Sequence, residues 1–167
     1  MRRILLGLAA AVVLFLVGRA IVRALVSDET KIRWMVEDMQ EGFDRTRMDP
    51  ILVAFAEDFS DETSGANRQD VRQALAYLFL TAKDPQTKAF PYRVEVEITK
   101  LAIDPGSGGE PGADCDLAAR FFDLREHSGG EPEPAWVIAI ASRWERGEYG
   151  WRIARTKYET KSGRMLR

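Results

Sequence analysis

The chain has 167 residues, of which 46% are hydrophobic, 30% charged and 10% aromatic. This balance is typical of one globular domain with a sizeable core, and it excludes a disordered, collagen-like or solenoid chain. The sequence holds one cysteine and one histidine, which excludes an intrachain disulfide framework and leaves no recognisable zinc or haem ligand set. We therefore expect no metal and no cofactor.

Charge divides the chain into two parts. Residues 1–27 carry four arginines and no acid, whereas residues 28–167 carry 20 basic and 26 acidic side chains. Because binding to nucleic acid needs clustered Lys and Arg, the acidic second part argues against a nucleic-acid partner. The basic residues of 161–167 are interpreted as a short solvated tail.

The N-terminal segment is apolar and follows two arginines, which is the layout of a secretion signal or a signal anchor. Fourteen residues without a charged or polar side chain, 4–17, reach only about 21 Å as a helix, so a membrane-spanning helix must continue towards Val26. Arg19 and Arg23 would then extend to the lipid headgroups. The residues expected in contact with lipid are Ile4, Leu5, Leu6, Leu8, Val12, Val13, Leu14, Phe15, Leu16 and Val17.

An uncleaved anchor over residues 1–27 is the favoured interpretation, and the lipid bilayer is then a partner. Signal cleavage competes with it, because small residues stand at suitable spacing in 18–20 and 22–24, although each site contains an arginine. A buried helix of a soluble protein is a third alternative. We expect a single-pass protein of the inner (cytoplasmic) membrane with its domain on the outer, periplasmic side. Secretion after cleavage is the alternative localisation.

Two helices are predicted after the anchor. Ser27 caps an amphipathic helix in which apolar residues recur at three- and four-residue steps as far as Phe43. Asp49 and the proline after it open a second helix, which we expect to include Phe55 and to stop near Glu57.

An acidic stretch, 57–62, separates the second helix from a third, which starts at Asn67 and ends before Asp84. Neighbouring carboxylates can share a cation or raise one another's pKa. A polar turn is nevertheless the favoured interpretation of the three carboxylates Asp58, Asp61 and Glu62.

From Tyr92 onward the hydrophobic period changes from 3.6 to 2, which indicates β-strands. Further strands are predicted over residues 115–124, 136–145 and 149–158, and the last two form a hairpin about Gly147. Two loops rich in Gly, Pro, Ser and Glu, 104–113 and 126–134, are interpreted as connectors. Helices followed by an antiparallel meander predict an α+β domain, with three N-terminal helices packed on a curved antiparallel sheet of four to five strands.

The order and spacing of these elements resemble the cone-shaped nuclear transport factor 2-like superfamily, which includes ketosteroid isomerases and SnoaL-type cyclases. The resemblance covers residues 28–160. Four stretches carry it: Ile-Arg-Trp-Met-Val-Glu-Asp-Met in the first helix, the segment from Asp49 to Glu62, Arg-Gln-Asp-Val-Arg-Gln-Ala-Leu in the third helix, and the terminal Tyr-Gly-Trp-Arg-Ile-Ala-Arg strand.

The resemblance implies an Asp or His base in the cone for members that transfer protons, with a Tyr or a protonated Asp at the oxyanion. This set does not map onto the chain. His127 falls in a glycine-rich loop, where a solvated imidazole is expected. The sequence therefore leans towards a non-catalytic protein.

A concave apolar pocket is the other candidate site. Alternation places Trp136, Ile138, Ile140 and Trp144 on one face of their strand, and it places Arg155 on the face of Trp151 in the next strand. An inward Arg155 would favour an anionic ligand. These six residues are the predicted pocket lining, although an ordinary core is the favoured alternative and Cys115 is expected to be a small core residue.

Together these features predict a membrane-anchored, non-catalytic binding or assembly module of the bacterial cell envelope. Its layout resembles bitopic subunits of type IV secretion channels, which combine a short cytoplasmic end, one span and a cone domain. An envelope protein or a second copy of the chain is the expected partner. The alternatives are a small-molecule binder, or an isomerase- or dehydratase-like enzyme that uses a pocket carboxylate such as Asp58.

Overall fold

A computed structural model describes residues 26–106, 111–126, 133–148 and 150–164. The predicted lipid-contacting residues, His127 and parts of both glycine-rich loops lie outside the described residues. No helix in the described part of the chain is long and apolar enough to cross a membrane.

The described residues form three α-helices and one 3-10 helix. The bounds are Asp28–Asp44 for α1, Met48–Leu52 for α2, Arg68–Thr81 for α3 and Leu124–Glu126 for the 3-10 helix. The 3-10 helix was not predicted, so the helix count differs from the expectation. The predicted cap of the first helix is confirmed, because the Ser27 hydroxyl accepts the Thr30 amide at 3.3 Å.

The predicted start of α3 is confirmed by a reciprocal capping box. The Asn67 side chain accepts the amides of Gln69 and Asp70 at 2.8 and 3.1 Å, and the Asp70 carboxylate accepts the Asn67 amide at 2.9 Å. Two amides of the first turn, which have no partner inside the helix, are satisfied in this way.

Five strands form one sheet in the order β1-β5-β4-β3-β2. The bounds are Phe55–Asp61 for β1, Tyr92–Asp104 for β2, Gly112–Asp123 for β3, Trp136–Gly147 for β4 and Gly150–Gly163 for β5. The predicted antiparallel meander of β2 to β5 is confirmed, as is the β4–β5 hairpin. β1 pairs parallel with β5, so the sheet is mixed rather than antiparallel throughout.

The predicted extension of the second helix to Glu57 is wrong. α2 ends at Leu52, and Phe55 begins β1, where it pairs with Ile153 of β5. Phe59 of the same strand is 4% exposed, because it packs in the core next to Phe55. Pairing with β5 and burial of two aromatic rings thus override the local helical pattern.

β5 runs five residues beyond the predicted end of its strand at residue 158, and three beyond the end of the family resemblance at residue 160. Its last residue, Gly163, has φ of +76°, and a Cβ at this position would overlap the carbonyl group of Ala135. The amide of Arg164 donates to the same carbonyl at 3.1 Å. A glycine is therefore required where the strand end meets the segment that enters β4.

The core lies between the helices and one face of the sheet, which we call the inner face. Ile32 and Val36 of α1 pack there against Trp144 and Trp151. A second cluster joins Phe43 of α1 to Phe79 of α3 and to inner-face residues nearer the starts of β2 and β4. The opposite, outer face carries mainly charged and small side chains.

Candidate functional site

The interior of the cone is filled by its own side chains. Trp144 is 0% exposed and Trp151 is 1% exposed, and Ile138 is buried within the second core cluster. Trp136 and Ile140 are half-buried at the margin of the same cluster. The four predicted residues of β4 do share the inner face, but they lie among core contacts, and a ligand-binding role for them stays a prediction.

A serine hydroxyl and a cysteine thiol are the candidate nucleophiles beside Trp144 in this interior. The Ser142 hydroxyl donates to the carbonyl of Cys115 at 2.7 Å and accepts the indole N–H of Trp144 at 2.9 Å. Cys115 is fully buried, and burial raises the pKa of its thiol to about 11. Neither the hydroxyl nor the thiol is therefore set up as a nucleophile.

The expectation that Arg155 shares the face of Trp151 is wrong. Trp144 of β4 pairs with Ile153, whereas Arg143, the residue before it, pairs with Arg155. One extra residue, Ala154, therefore stands in β5 and forms a β-bulge, which reverses the alternation beyond it. Arg155 is exposed on the outer face and does not reach the interior.

Asp28 is a carboxylate that lies next to the buried Trp151. Burial raises its pKa, but the hydrogen bond from Lys31 at 2.9 Å, the nearby N–H dipole of the Trp151 indole and the charges of Lys31 and Arg146 outweigh burial and leave the pKa below its ordinary value. The Trp151 N–H itself is buried without a described partner of ordinary hydrogen-bond geometry. A carboxylate held in its ionised form between two cations is suited to joining α1 to the β4–β5 hairpin, not to accepting a proton near neutral pH.

The acidic stretch folds as a structural turn. Asp61 is 7% exposed and accepts the amide and hydroxyl of Ser64, both at 2.7 Å, and the Thr156 hydroxyl at 2.8 Å. Asp58 and Glu62 are exposed. The three carboxylates do not converge, and within the described residues no group of three or more acidic, His or Cys side chains could hold a metal ion.

A depression of about 660 Å³ opens on the surface between α2, the start of β1 and the start of α3. Arg68 lies in its wall and donates to the carbonyl of Leu52 through Nε at 3.3 Å and Nη2 at 3.1 Å. Arg72 lines it with two acids, Asp49 and Glu57. The charges offset one another, and the depression is wide and open, so it lacks the enclosed apolar wall of a typical ligand site. No sequence motif distinguished Arg68, because its partner is a backbone carbonyl 16 residues away.

The outer face holds a shallow depression of about 310 Å³ near the β-bulge. Arg155 and Lys157 of β5 line one side of it, and Asp114 and Asp116 of β3 line the other. Arg143 stands between them and donates to Asp114 at 3.2 Å. Arg155 therefore belongs to a solvated surface of mixed charge, which is not a specific anion site.

Solved structures of other proteins share this fold. A domain of unknown function with a cystatin-like fold from Nostoc punctiforme has a TM-score of 0.60 and 18% identity, over 81% of this chain and 78% of that chain. An NTF2-like protein of unknown function from Pseudomonas putida has a TM-score of 0.55 and 11% identity, over 78% of this chain and 84% of that chain. A ketosteroid isomerase-like protein from Erwinia carotovora atroseptica has a TM-score of 0.52 and 12% identity, over 78% of this chain and 94% of that chain.

These similarities establish the cone-shaped α+β fold that the sequence resembled. No protein-family model matches the chain, and no curated protein matches it. At such low identity the similarity concerns the fold alone, since one fold hosts many unrelated activities.

Proposed function

We propose that the chain is a non-catalytic binding or assembly module of the bacterial cell envelope, carried on a membrane anchor within residues 1–27. One observation carries the non-catalytic part. The two buried tryptophans, Trp144 and Trp151, occupy the space between helices and sheet in which a cone-fold enzyme would hold its substrate.

The ionisable groups support the same conclusion. Among the described residues, the carboxyl groups with a displaced pKa are Asp28, Asp44, Asp84 and Asp123, and each accepts hydrogen bonds from nearby side chains or backbone amides. A general base needs a carboxylate that faces an open pocket and is free to take a proton. An isomerase-like reaction at Asp58 lacks support, because this side chain is exposed on β1 and has no buried partner.

The anchor part rests on the sequence. The α1 cap at Ser27 directly follows the apolar segment, so the domain would begin at the bilayer surface with almost no linker. Domains held in this way meet partners within the plane of the membrane, where tethering raises their effective concentration. We place the domain on the periplasmic side of the inner membrane, with secretion after signal cleavage as the alternative.

The test is photocrosslinking of the full-length protein in its native membranes. Photoreactive residues at Leu80 of α3, Lys157 of the outer face and Arg72 of the Arg68 depression sample three exposed surfaces that make few core contacts. Crosslinked species are purified and identified by mass spectrometry. Capture of the same envelope protein from one surface, and not from the other two, supports the proposal.

Two other outcomes contradict the proposal. Full-length protein that stays in the soluble fraction after cell lysis would disprove the anchor. A small molecule that co-purifies stoichiometrically and is lost on an Arg68→Ala substitution, but retained on Lys157→Ala, would move the function to ligand binding at the Arg68 depression. The Lys157→Ala variant is the matched control, because it removes a cation from the opposite side of the sheet.

A further inference from the structure

The two edges of the sheet are protected to different extents. The β1 edge is covered by its own chain, since Ser60 bridges Asn67 and the Asp61 amide donates to the carbonyl of Ala66 at 2.8 Å. At the other edge, side chains of α1 accept the amides of Val94 and Val96. These two side chains protect only the first part of β2.

The second part of the β2 edge, Lys100–Asp104, has no such cover among the described residues. Along a strand, the side-chain face and the direction of the amide alternate together. Leu101 and Ile103 pair with Cys115 and Ala113 of β3, which are buried on the inner face. A β-bulge between Ile98 and Lys100 reverses the alternation of β2, so odd-numbered residues take the inner face beyond it. Leu101 and Ile103 therefore direct their amides and carbonyls away from β3, as Val94 does, and no described residue bonds them.

The sequence of this open segment is complementary to itself. In an antiparallel pair of two copies centred on Ala102, Lys100 stands opposite Asp104 of the second copy. Leu101 stands opposite Ile103 of the second copy, and the backbone amides and carbonyls of these two residues form the hydrogen bonds between the copies. Lys100 and Asp104 stand at the closer, non-hydrogen-bonded positions, where opposite charges attract most strongly.

Among the described residues, neither charged group has a competing ion pair. Lys100 forms no ion pair with them, and the one hydrogen bond that they donate to the Asp104 carboxylate comes from the Gly106 amide of its own turn, at 3.0 Å. Ile103 is 38% exposed, and pairing would cover it with Leu101 of the other copy. A lysine on an edge strand ordinarily opposes pairing, but here a carboxylate stands at the position that receives it.

We propose that two copies of this chain associate through antiparallel pairing of Lys100–Asp104 and join their sheets into one of ten strands. The contact is short, and a shared membrane would favour it by raising the local concentration of the chain. This proposal deepens the proposed function, because it names a second copy as one partner of the module.

Engineered cysteines test the register in full-length protein in its native membranes. Ala102→Cys places two thiols at a non-hydrogen-bonded pair, where the Cα atoms are about 4.5 Å apart and a disulfide fits. Lys100→Cys is the matched control, because its two copies would lie about 14 Å apart along the strands. The native Cys115 is fully buried and does not compete.

Under mild oxidation we expect at least ten times more disulfide dimer from Ala102→Cys than from Lys100→Cys alone. Co-expressed Lys100→Cys and Asp104→Cys chains should crosslink to each other, although neither crosslinks to itself. Equal yields at positions 100 and 102, no dimer at position 102, or crosslinks to a different protein would each overturn the proposal.

Charge reversal separates pairing from folding. In the Ala102→Cys background, Lys100→Glu and Asp104→Lys should each lower the dimer yield several-fold, and the double variant should restore it. A folding defect would not be repaired by the second substitution.

If the register test fails while an envelope protein is still captured by photocrosslinking, only this inference is lost. If the register test succeeds and the protein is not membrane-bound, only the anchor is lost.

Discussion

The carboxylate of Asp44, the last residue of α1, accepts the backbone amide of Val94 in β2 at 2.9 Å. One turn earlier, Gln40 accepts the amide of Val96 at 3.0 Å. Both side chains stand where a neighbouring strand would otherwise bond to β2. The helix that covers the inner face therefore also decides how much of the β2 edge is open to a second chain.

Asp44→Ala should destabilise the domain, whereas Asp44→Asn should not. Alanine leaves the Val94 amide without its acceptor, a loss of about 1 kcal/mol in the free energy of unfolding, while asparagine keeps an acceptor oxygen at the same place. Urea denaturation at neutral pH measures both. Equal stability of the two variants would mean that the hydrogen bond contributes nothing.

The same pair predicts a dependence on pH. Burial raises the pKa of Asp44, and the Glu95 carboxylate adds to this, although the Val94 amide and the Arg93 guanidinium oppose it. An acid whose pKa is raised by folding contributes stability at a pH below its unfolded pKa, and this contribution is lost as pH rises through the folded pKa. Asp44→Asn removes the titration. As pH rises above about 4, the native chain should therefore lose stability relative to the Asp44→Asn variant.

Local signals were sufficient for most elements of the fold. Ser27 and Asn67 cap helices where the sequence places them, because a capping hydrogen bond involves only residues two or three positions apart. β1 was missed, because Phe55 and Phe59 are strand residues only through pairing with β5, about 100 positions later. Nothing near Phe55 in the sequence records that partner.

Ser142→Ala should destabilise the domain more than the removal of an exposed hydroxyl does. The substitution leaves the buried Trp144 N–H without an acceptor and removes the hydroxyl bond to the Cys115 carbonyl. We expect a loss of about 1–3 kcal/mol in the free energy of unfolding. Thr99→Ala is the control, since its hydroxyl donates to a strand carbonyl at 3.0 Å but is exposed. A loss no larger than that of the control would contradict a closed interior.

The candidate site was harder to predict than the fold. Alternation correctly groups Trp136, Ile138 and Trp144 on one face, because β4 is regular over these residues. Arg155 was misplaced, since one bulge residue, Ala154, reverses the alternation of β5 from Arg155 to Thr160, where a second bulge follows. Whether a face lines a pocket or a core also depends on the opposing helix, and the burial of Ile32 against these tryptophans could not be read from β4 and β5 alone.

Asn67→Ala should lower the stability of the domain by about 1 kcal/mol through loss of the α3 cap. Asp70→Ala removes the reciprocal bond to the Asn67 amide, and the two substitutions should be less than additive, because they share one capping box. A double-mutant cycle in urea measures the coupling. Strict additivity would show that the two bonds act separately. Asn67→Asp retains an acceptor and is the conservative control.

Cys115 should be unreactive in the folded protein. Its thiol is 0% exposed, and burial raises its pKa to about 11, so about one molecule in a thousand carries a thiolate at pH 8. Leu80→Cys adds a second thiol on an exposed face of α3 as an internal reference. With an aromatic disulfide reagent we expect the thiol at position 80 to react at once. The Cys115 thiol should react only at the rate at which the domain unfolds, so urea should accelerate the reaction of Cys115 alone. If Cys115 reacted as quickly as the thiol at position 80 without denaturant, solvent would have access to the space beside Trp144. The cone would then be open, and the case for a non-catalytic module would lose its main support.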